Sequence, residues 1–224
     1  MIPFGLNNLG KNDMLQRLLV LVAIVLGTSE MDAQETKFTD LFNGKDLSGW
    51  KLVGAGDNWL AKDGELQCTG KPGAHWIRTE KEYSDFELRL EFKMNTDGNS
   101  GVFIRAPEAG TPWVEGLEVQ LLDDFGPKWK NLKPDQFTAS IYAVEGPSKR
   151  VTKPAGQWQS MRIVCNRRAL KVWVNGVQVV DADLDKYLDR ADKVPGIKRQ
   201  AGFIGFQDHG DAVSFRKIKI AELK

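Results

Sequence analysis

Two stretches of this chain carry side chains of the kinds that move protons and hold polar ligands. In Gly116-Leu-Glu-Val-Gln-Leu-Leu-Asp-Asp124, Leu117, Val119 and Leu121 alternate with Glu118, Gln120 and Leu122. A β-strand sends successive side chains to opposite faces, so one face here is apolar and the other carries a carboxylate and an amide. In Gly98-Asn-Ser-Gly-Val-Phe-Ile-Arg105, Val102 and Ile104 alternate with Phe103 and Arg105, which predicts a neighbouring strand offering a guanidinium to the same polar side. A carboxylate becomes a general acid or base once burial tunes it, a guanidinium is a fixed positive charge, and amides hold hydroxyls. The same residues also fit a plainer arrangement, an Arg105–Glu118 salt bridge across strands on a solvated face.

Further candidates lie outside these two stretches. Gly205-Phe-Gln-Asp-His-Gly210 contains Gln207 and His209, one of two histidines in the chain. An imidazole donates or accepts a proton near neutral pH, although a His before Gly also suits a turn. Asn99 and Ser100, flanked by Gly98 and Gly101, read as turn formers or, for Asn99, as a contact to a ligand hydroxyl. Trp113 and Trp129 sit close to prolines and either stack on flat ligand faces or anchor their loops, while His75 beside Trp76 reads as structural. A divalent metal on Glu118, His209 and Asp123 or Asp124 is a further option, but no metal-spacing motif stands in the sequence and the cofactor question stays open.

The elements that must position these groups are short and strand-like. Phe86, Leu88, Leu90, Phe92 and Met94 alternate with Glu87, Arg89, Glu91 and Lys93 within Tyr83 to Met94, a pattern no helix keeps on one side. The four charged partners read as a solvated face with cross-strand ion pairs. Asp63-Gly64 and Asn175-Gly176 mark tight hairpins between Trp59–Lys62 and Glu65–Thr69, and between Leu170–Val174 and Val177–Val180. His75–Thr79, Thr138–Val144 and Met161–Cys165 add strand-like runs, and the segments from Gly202 and from Val213 read as a closing pair. Asp124 to Pro134 is a long excursion, and one helical turn fits Leu184 to Leu188. Many short strands, little helix and Gly/Asn/Asp turns predict an all-β fold, an antiparallel two-sheet jelly-roll sandwich.

Length and composition set the bounds. Within the 224 residues, Arg17 precedes the apolar run Leu18 to Leu26, followed by small residues through Ala33. Residues 1–33 therefore read as a secretory signal peptide with an upstream extension, and 34–224 as a single domain of an exported protein, periplasmic or secreted. The apolar run is shorter than the roughly 20 residues a spanning helix needs, so no membrane span is expected after cleavage. With 31 basic and 30 acidic residues spread evenly, electrostatics give no reason to expect nucleic acid as a partner. Cys68 and Cys165 are the only cysteines; export permits a bridge, but each sits in an apolar strand pattern where a free thiol packs as a small hydrophobe. Oligomeric state is not legible.

Taken together, Leu41-Phe-Asn-Gly-Lys-Asp-Leu-Ser-Gly-Trp50, Tyr83-Ser-Asp-Phe-Glu-Leu-Arg-Leu-Glu-Phe92, Gly98–Arg105, Gly116–Asp123, Val174-Asn-Gly-Val177 and Gly205–Gly210 resemble the 3-keto-disaccharide hydrolase family over Phe38 to Leu223. The resemblance implies a concanavalin A-like jelly roll and an exported enzyme acting on small carbohydrates already oxidised to a ketone at C3. Such a ketone acidifies the hydrogen on C2, and the C1 oxygen lies β to the resulting carbanion, so elimination followed by hydration cleaves the glycosidic bond. That chemistry needs a base, a donor for the enolate oxygen and an acid for the leaving oxygen. Glu118, Arg105 and His209 are the respective expectations, with Gln120, Gln207, Asn99, Asp123, Tyr142 and Trp129 as substrate contacts. Two other readings remain: a conventional β-glucanase-like hydrolase using Glu118 and Asp123 as paired carboxylates across a bulge, and a non-catalytic carbohydrate-binding module.

Overall fold

The computed structural model describes residues 37–54, 56–71 and 76–224; the expected signal peptide and His75 lie outside the described residues. Among the described residues thirteen strands follow in chain order: β1 (Thr39–Asp40), β2 (Trp50–Val53), β3 (Trp59–Lys62), β4 (Glu65–Thr69), β5 (Trp76–Tyr83), β6 (Phe86–Met94), β7 (Asn99–Ala106), β8 (Leu117–Leu122), β9 (Gln159–Asn166), β10 (Ala169–Val174), β11 (Val177–Asp183), β12 (Gly202–Gln207) and β13 (Ala212–Glu222). A helical turn, α1 (Pro112–Glu115), joins β7 to β8, and the expected turn near Leu184 is a 3-10 segment, Leu184–Arg190. No described helix is long and apolar enough to cross a membrane.

The strands form two antiparallel sheets, as the alternation predicts. One has eight strands in the order β11-β10-β9-β6-β13-β4-β3, with β1 also against β13; the other has five, β2-β5-β12-β7-β8. The two turns read from the sequence are present. Asp63 and Gly64, like Asn175 and Gly176, both take positive φ, the backbone that matches strand twist in a two-residue hairpin. The segments from Gly202 and Val213 do not pair with each other: β12 lies between β5 and β7, whereas β13 lies between β4 and β6. The connection Asp208–Asp211 crosses between sheets instead of turning within one. Thr138 to Val144 also departs from expectation, bonding to β8 through one isolated bridge, Val119↔Ile141, and not as a regular strand.

The core lies between the sheets and is aromatic at its centre. Trp50 stacks on Phe206 at 5.3 Å, Phe206 on Phe215 at 4.1 Å and Phe215 on Trp59 at 6.2 Å, which ties β2 and β12 of one sheet to β13 and β3 of the other. Cys68 and Cys165 are free thiols buried in this layer, and burial pushes both up to about 12, so they act as hydrophobes. The outer face of β6 is the solvated ion-pair surface expected: Glu87 accepts from Arg162 at 2.7 and 2.8 Å, and Glu91 from Arg216 at 2.6 Å. Polar chemistry is left to the outward face of the five-stranded sheet.

Candidate active site

On that face the side chains fall into two rows. The first runs from Arg78 on β5 through Gly205 on β12 and Phe103 on β7 to Glu118 on β8. It continues to Tyr142. Segment 139–145 bonds to β8 through Ala139 N to Gln120 O at 2.8 Å, Gln120 N to Ser140 O at 3.0 Å and Tyr142 N to Glu118 O at 2.9 Å, around the bridge between Val119 and Ile141. That pairing sets Tyr142 directly opposite Glu118, on the face away from buried Ile141, where cross-strand Cβ atoms stand about 5 Å apart. The second row holds Trp76 opposite Gln207, and Gly101 opposite Gln120.

Glycine makes the floor of the site flat. A Cβ on Gly101 would stand 2.1 Å from Glu118 Oε1, so the carboxyl occupies the space a side chain would fill. A Cβ on Gly205 would stand 2.6 Å from Trp76 Cε3, so the indole lies against the sheet, edge-on to Phe103 at 5.5 Å. The result is a cleft of about 790 Å³. Asn99, Glu118, Gln120, Tyr142, Gln207 and His209 give it a polar side, and Trp76, Phe103, Pro112 and Trp113 an apolar one.

Glu118 is the unusual group. It is 4% exposed and forms no ion pair among the described residues, and burial pushes its carboxyl up to about 8. With its amide oriented so that donors meet acceptors, Gln120 Nε2 donates to Glu118 Oε1 at 3.2 Å and to Ser100 O at 2.8 Å. Gln120 therefore orients the carboxyl and does not keep its N–H groups for a ligand. Asn99 Oδ1 and Gln207 Oε1 are buried with no hydrogen-bond partner among the described residues, a state that native proteins rarely leave without a role. His209 is exposed at the rim. Its turn is fixed by Asp208, which accepts from Asn58 Nδ2 at 2.5 Å and from Gly210 N at 2.9 Å; the positive φ of that turn is at Gly210, not at His209. Asn99 and Ser100 stand in β7 instead of a turn, and Ser100 Oγ donates to Gln207 O at 2.8 Å, fastening the two strands that carry the unpaired amides.

Six of the nine expected site residues thus share one cleft, and three do not: Arg105, Asp123 and Trp129. Arg105 fails through backbone geometry. Between Phe203↔Ala106 and Gly205↔Phe103, β7 carries one residue more than β12, a bulge in which Arg105 takes a φ of +49°. The extra residue cancels the alternation, so the guanidinium turns in between the sheets. There it is 1% exposed and donates to Arg167 O at 2.7 Å, Arg199 O at 3.1 Å and Ser84 O at 3.4 Å, with Asp85 Oδ1 at 3.4 Å. It neither enters the cleft nor bridges to Glu118.

Asp123 accepts from Asp97 N at 3.0 Å and Phe125 N at 3.3 Å, and Asp124 from Thr138 N at 3.0 Å and Thr152 Oγ1 at 2.9 Å, so both carboxylates hold the excursion onto the sheet end. Trp129 anchors the same loop, its Nε1 donating to Asp97 O at 3.1 Å. The metal set Glu118, His209 and Asp123 or Asp124 is therefore not assembled, and among the described residues no three His, Cys, Asp or Glu side chains converge for a metal. The Glu118–Asp123 pair of a retaining glucanase is not assembled either. Residues the sequence reading missed are Trp76, Phe103 and Asp208; the signal for the first two was their place on the polar face around Gly205, which lies opposite Phe103 and diagonal to Trp76.

A family model for the 3-keto-alpha-glucoside-1,2-lyase-like domain matches residues 37–221. A 3-keto-disaccharide hydrolase of Bacteroides thetaiotaomicron is 25% identical, with 88% of this chain and 84% of that protein covered. A crystal structure of a candidate glycosyl hydrolase from Parabacteroides distasonis superposes with a TM-score of 0.73 at 30% identity, covering 84% of this chain and 95% of that one. A Bacillus subtilis protein with a galectin-like fold, 12% identical with a TM-score of 0.56 over 83% of this chain and 98% of that one, shares the fold alone.

Proposed function

From a chain that belongs to the 3-keto-alpha-glucoside-1,2-lyase-like domain family, we propose a glycoside-processing enzyme that cleaves the glycosidic bond of 3-keto-glycosides by elimination and hydration. The observation that carries this reading is Glu118, a carboxyl buried in the floor of an open cleft with no cation among the described residues to stabilise its charge. A sugar-binding module gains nothing from such a group, whereas a base whose pKa is raised to about 8 is stronger toward a carbon acid than an ordinary carboxylate.

Glu118 takes the C2 proton of the 3-keto sugar, and the C–H electron pair forms the enolate. The pair then returns to make the C1–C2 double bond as the C1–O bond breaks, and His209 at the rim gives its proton to the departing oxygen. Water next adds at C1 of the enone, giving a proton to His209 while Glu118 returns one to C2, so both groups end as they began. Asn99 and Gln207 would hold sugar hydroxyls, which supply the donors their buried oxygens lack. Trp76 and Phe103 give the apolar face of the ring its floor.

Export belongs to the same proposal and rests on the apolar run Leu18 to Leu26; fractionation of the producing cells tests it. The function itself is tested with matched glucosides, native and 3-oxidised, for wild type and Glu118→Gln. Turnover confined to the 3-keto forms and absent in the variant is expected. Turnover of native glucosides, or a fully active Glu118→Gln protein, refutes it.

A further inference from the structure

The elimination needs a donor for the enolate oxygen, and the removal of Arg105 from the cleft leaves that role to another group. We propose that Tyr142 fills it: its phenol O–H hydrogen-bonds the C3 oxygen as negative charge develops there, with Gln136 as the residue that orients it. The inference rests on the 3-keto-glycoside reading above.

Three observations carry it. First, the pairing of segment 139–145 with β8 makes Tyr142 the direct cross-strand neighbour of Glu118 on the cleft face. On a pyranose, C3 is bonded to C2, so the donor for O3 must stand beside the base that removes the C2 proton. Second, Gln136 Nε2 donates to the Tyr142 hydroxyl oxygen at 3.1 Å. A phenol whose lone pair is taken by an N–H has its own proton left to give, which is the polarity an oxyanion requires. Gln136 cannot reverse this bond by turning its amide, because its Oε1 accepts from Lys133 N at 3.0 Å. Third, the backbone around Tyr142 is held in uncommon conformations, with Ala139 at a φ of +75° and Ala143 at +59°. Alanine adopts that region at a cost, and such strain is retained where a side chain must be aimed.

No proton leaves Tyr142 in this scheme. Glu118 carries the C2 proton, His209 protonates the leaving oxygen, and the phenol donates a hydrogen bond that strengthens as O3 becomes an enolate and weakens as the enone forms.

The test uses the full chain with a 3-keto-glucoside and reads two rates: release of the aglycone, and exchange of the C2 hydrogen into D2O followed by NMR. Tyr142→Phe keeps the ring and removes the donor. Expected is a fall of about 10²- to 10³-fold in both rates at saturating substrate, with KM changed only a few fold. Gln136→Leu should lower kcat less, and Gln136→Glu, which replaces the donor by an acceptor and turns the phenol proton away, should lower it as much as Tyr142→Phe. A Tyr142→Phe enzyme within about threefold of wild type in kcat overturns the inference alone, as does a loss confined to KM. Wild type that turns over no 3-keto-glucoside overturns the functional reading and this inference together.

Discussion

Replacing Glu118 by Gln should make the folded protein more resistant to alkaline unfolding even as it removes activity. In the folded chain burial holds this carboxyl at about 8 against an ordinary value of 4.5. Between those two values the unfolded chain has released a proton that the folded chain keeps, so wild-type stability falls as pH rises through the window. Each pH unit inside the window is worth about 1.4 kcal/mol. Integrated from pH 5 to pH 9, Glu118 alone removes roughly 4 kcal/mol, with most of the loss complete by pH 8. Gln is nearly isosteric and does not titrate, so the stability difference between the two proteins isolates this one group. Denaturant unfolding of both at pH 5, 7 and 9 measures it. The gap should widen in favour of Glu118→Gln by roughly 4 kcal/mol across that range, which for a domain of this size is on the order of 8 to 16 °C in Tm. Curves that stay parallel from pH 5 to pH 9 would show that Glu118 titrates as an ordinary carboxyl, and the argument for a buried base would fail with it.

The proton-abstraction step should follow the same group in the opposite sense: because the base is the ionised form, exchange of the C2 hydrogen of a 3-keto-glucoside into D2O should rise with pH and level off above about 8, as NMR at a series of pH values would record. Gly101→Ala should lower kcat by about 10²-fold with little change in Tm, since the added methyl would meet Glu118 Oε1 at 2.1 Å and must displace the carboxyl, while the backbone at 101 needs no positive φ. Arg105→Met should do the reverse, destabilising by roughly 3 kcal/mol because three backbone carbonyls lose their donor, with kcat of the folded enzyme within about threefold of wild type. Trp113→Ala should raise KM for 3-keto-disaccharides more than for a methyl 3-keto-glucoside, since this 43% exposed ring at the mouth of the cleft is placed to stack on the leaving group.

The sequence by itself determined the strands, the hairpins and which side chains share a face wherever alternation runs unbroken. Glu118 and Gln120 point to one side because a regular strand lies between them, and Asp63-Gly64 and Asn175-Gly176 turn as they do because few other pairs tolerate both φ values. Arg105 was not legible, because a one-residue bulge inverts every face beyond it, and whether a bulge forms depends on the partner strand β12 and on the carbonyls waiting between the sheets. Asp123, Asp124 and Trp129 look like site residues in the chain, but the excursion they belong to needs their polar groups for its own backbone. Tyr142 came from the sequence only as a candidate; its place beside Glu118 was decided by an irregular segment whose hydrogen bonds no periodicity announces. The raised pKa of Glu118 is likewise a tertiary fact. A carboxyl's charge is costly only where its neighbours exclude water and supply no cation, and here β7 on one side of Glu118 and the irregular segment 139–145 on the other close around it.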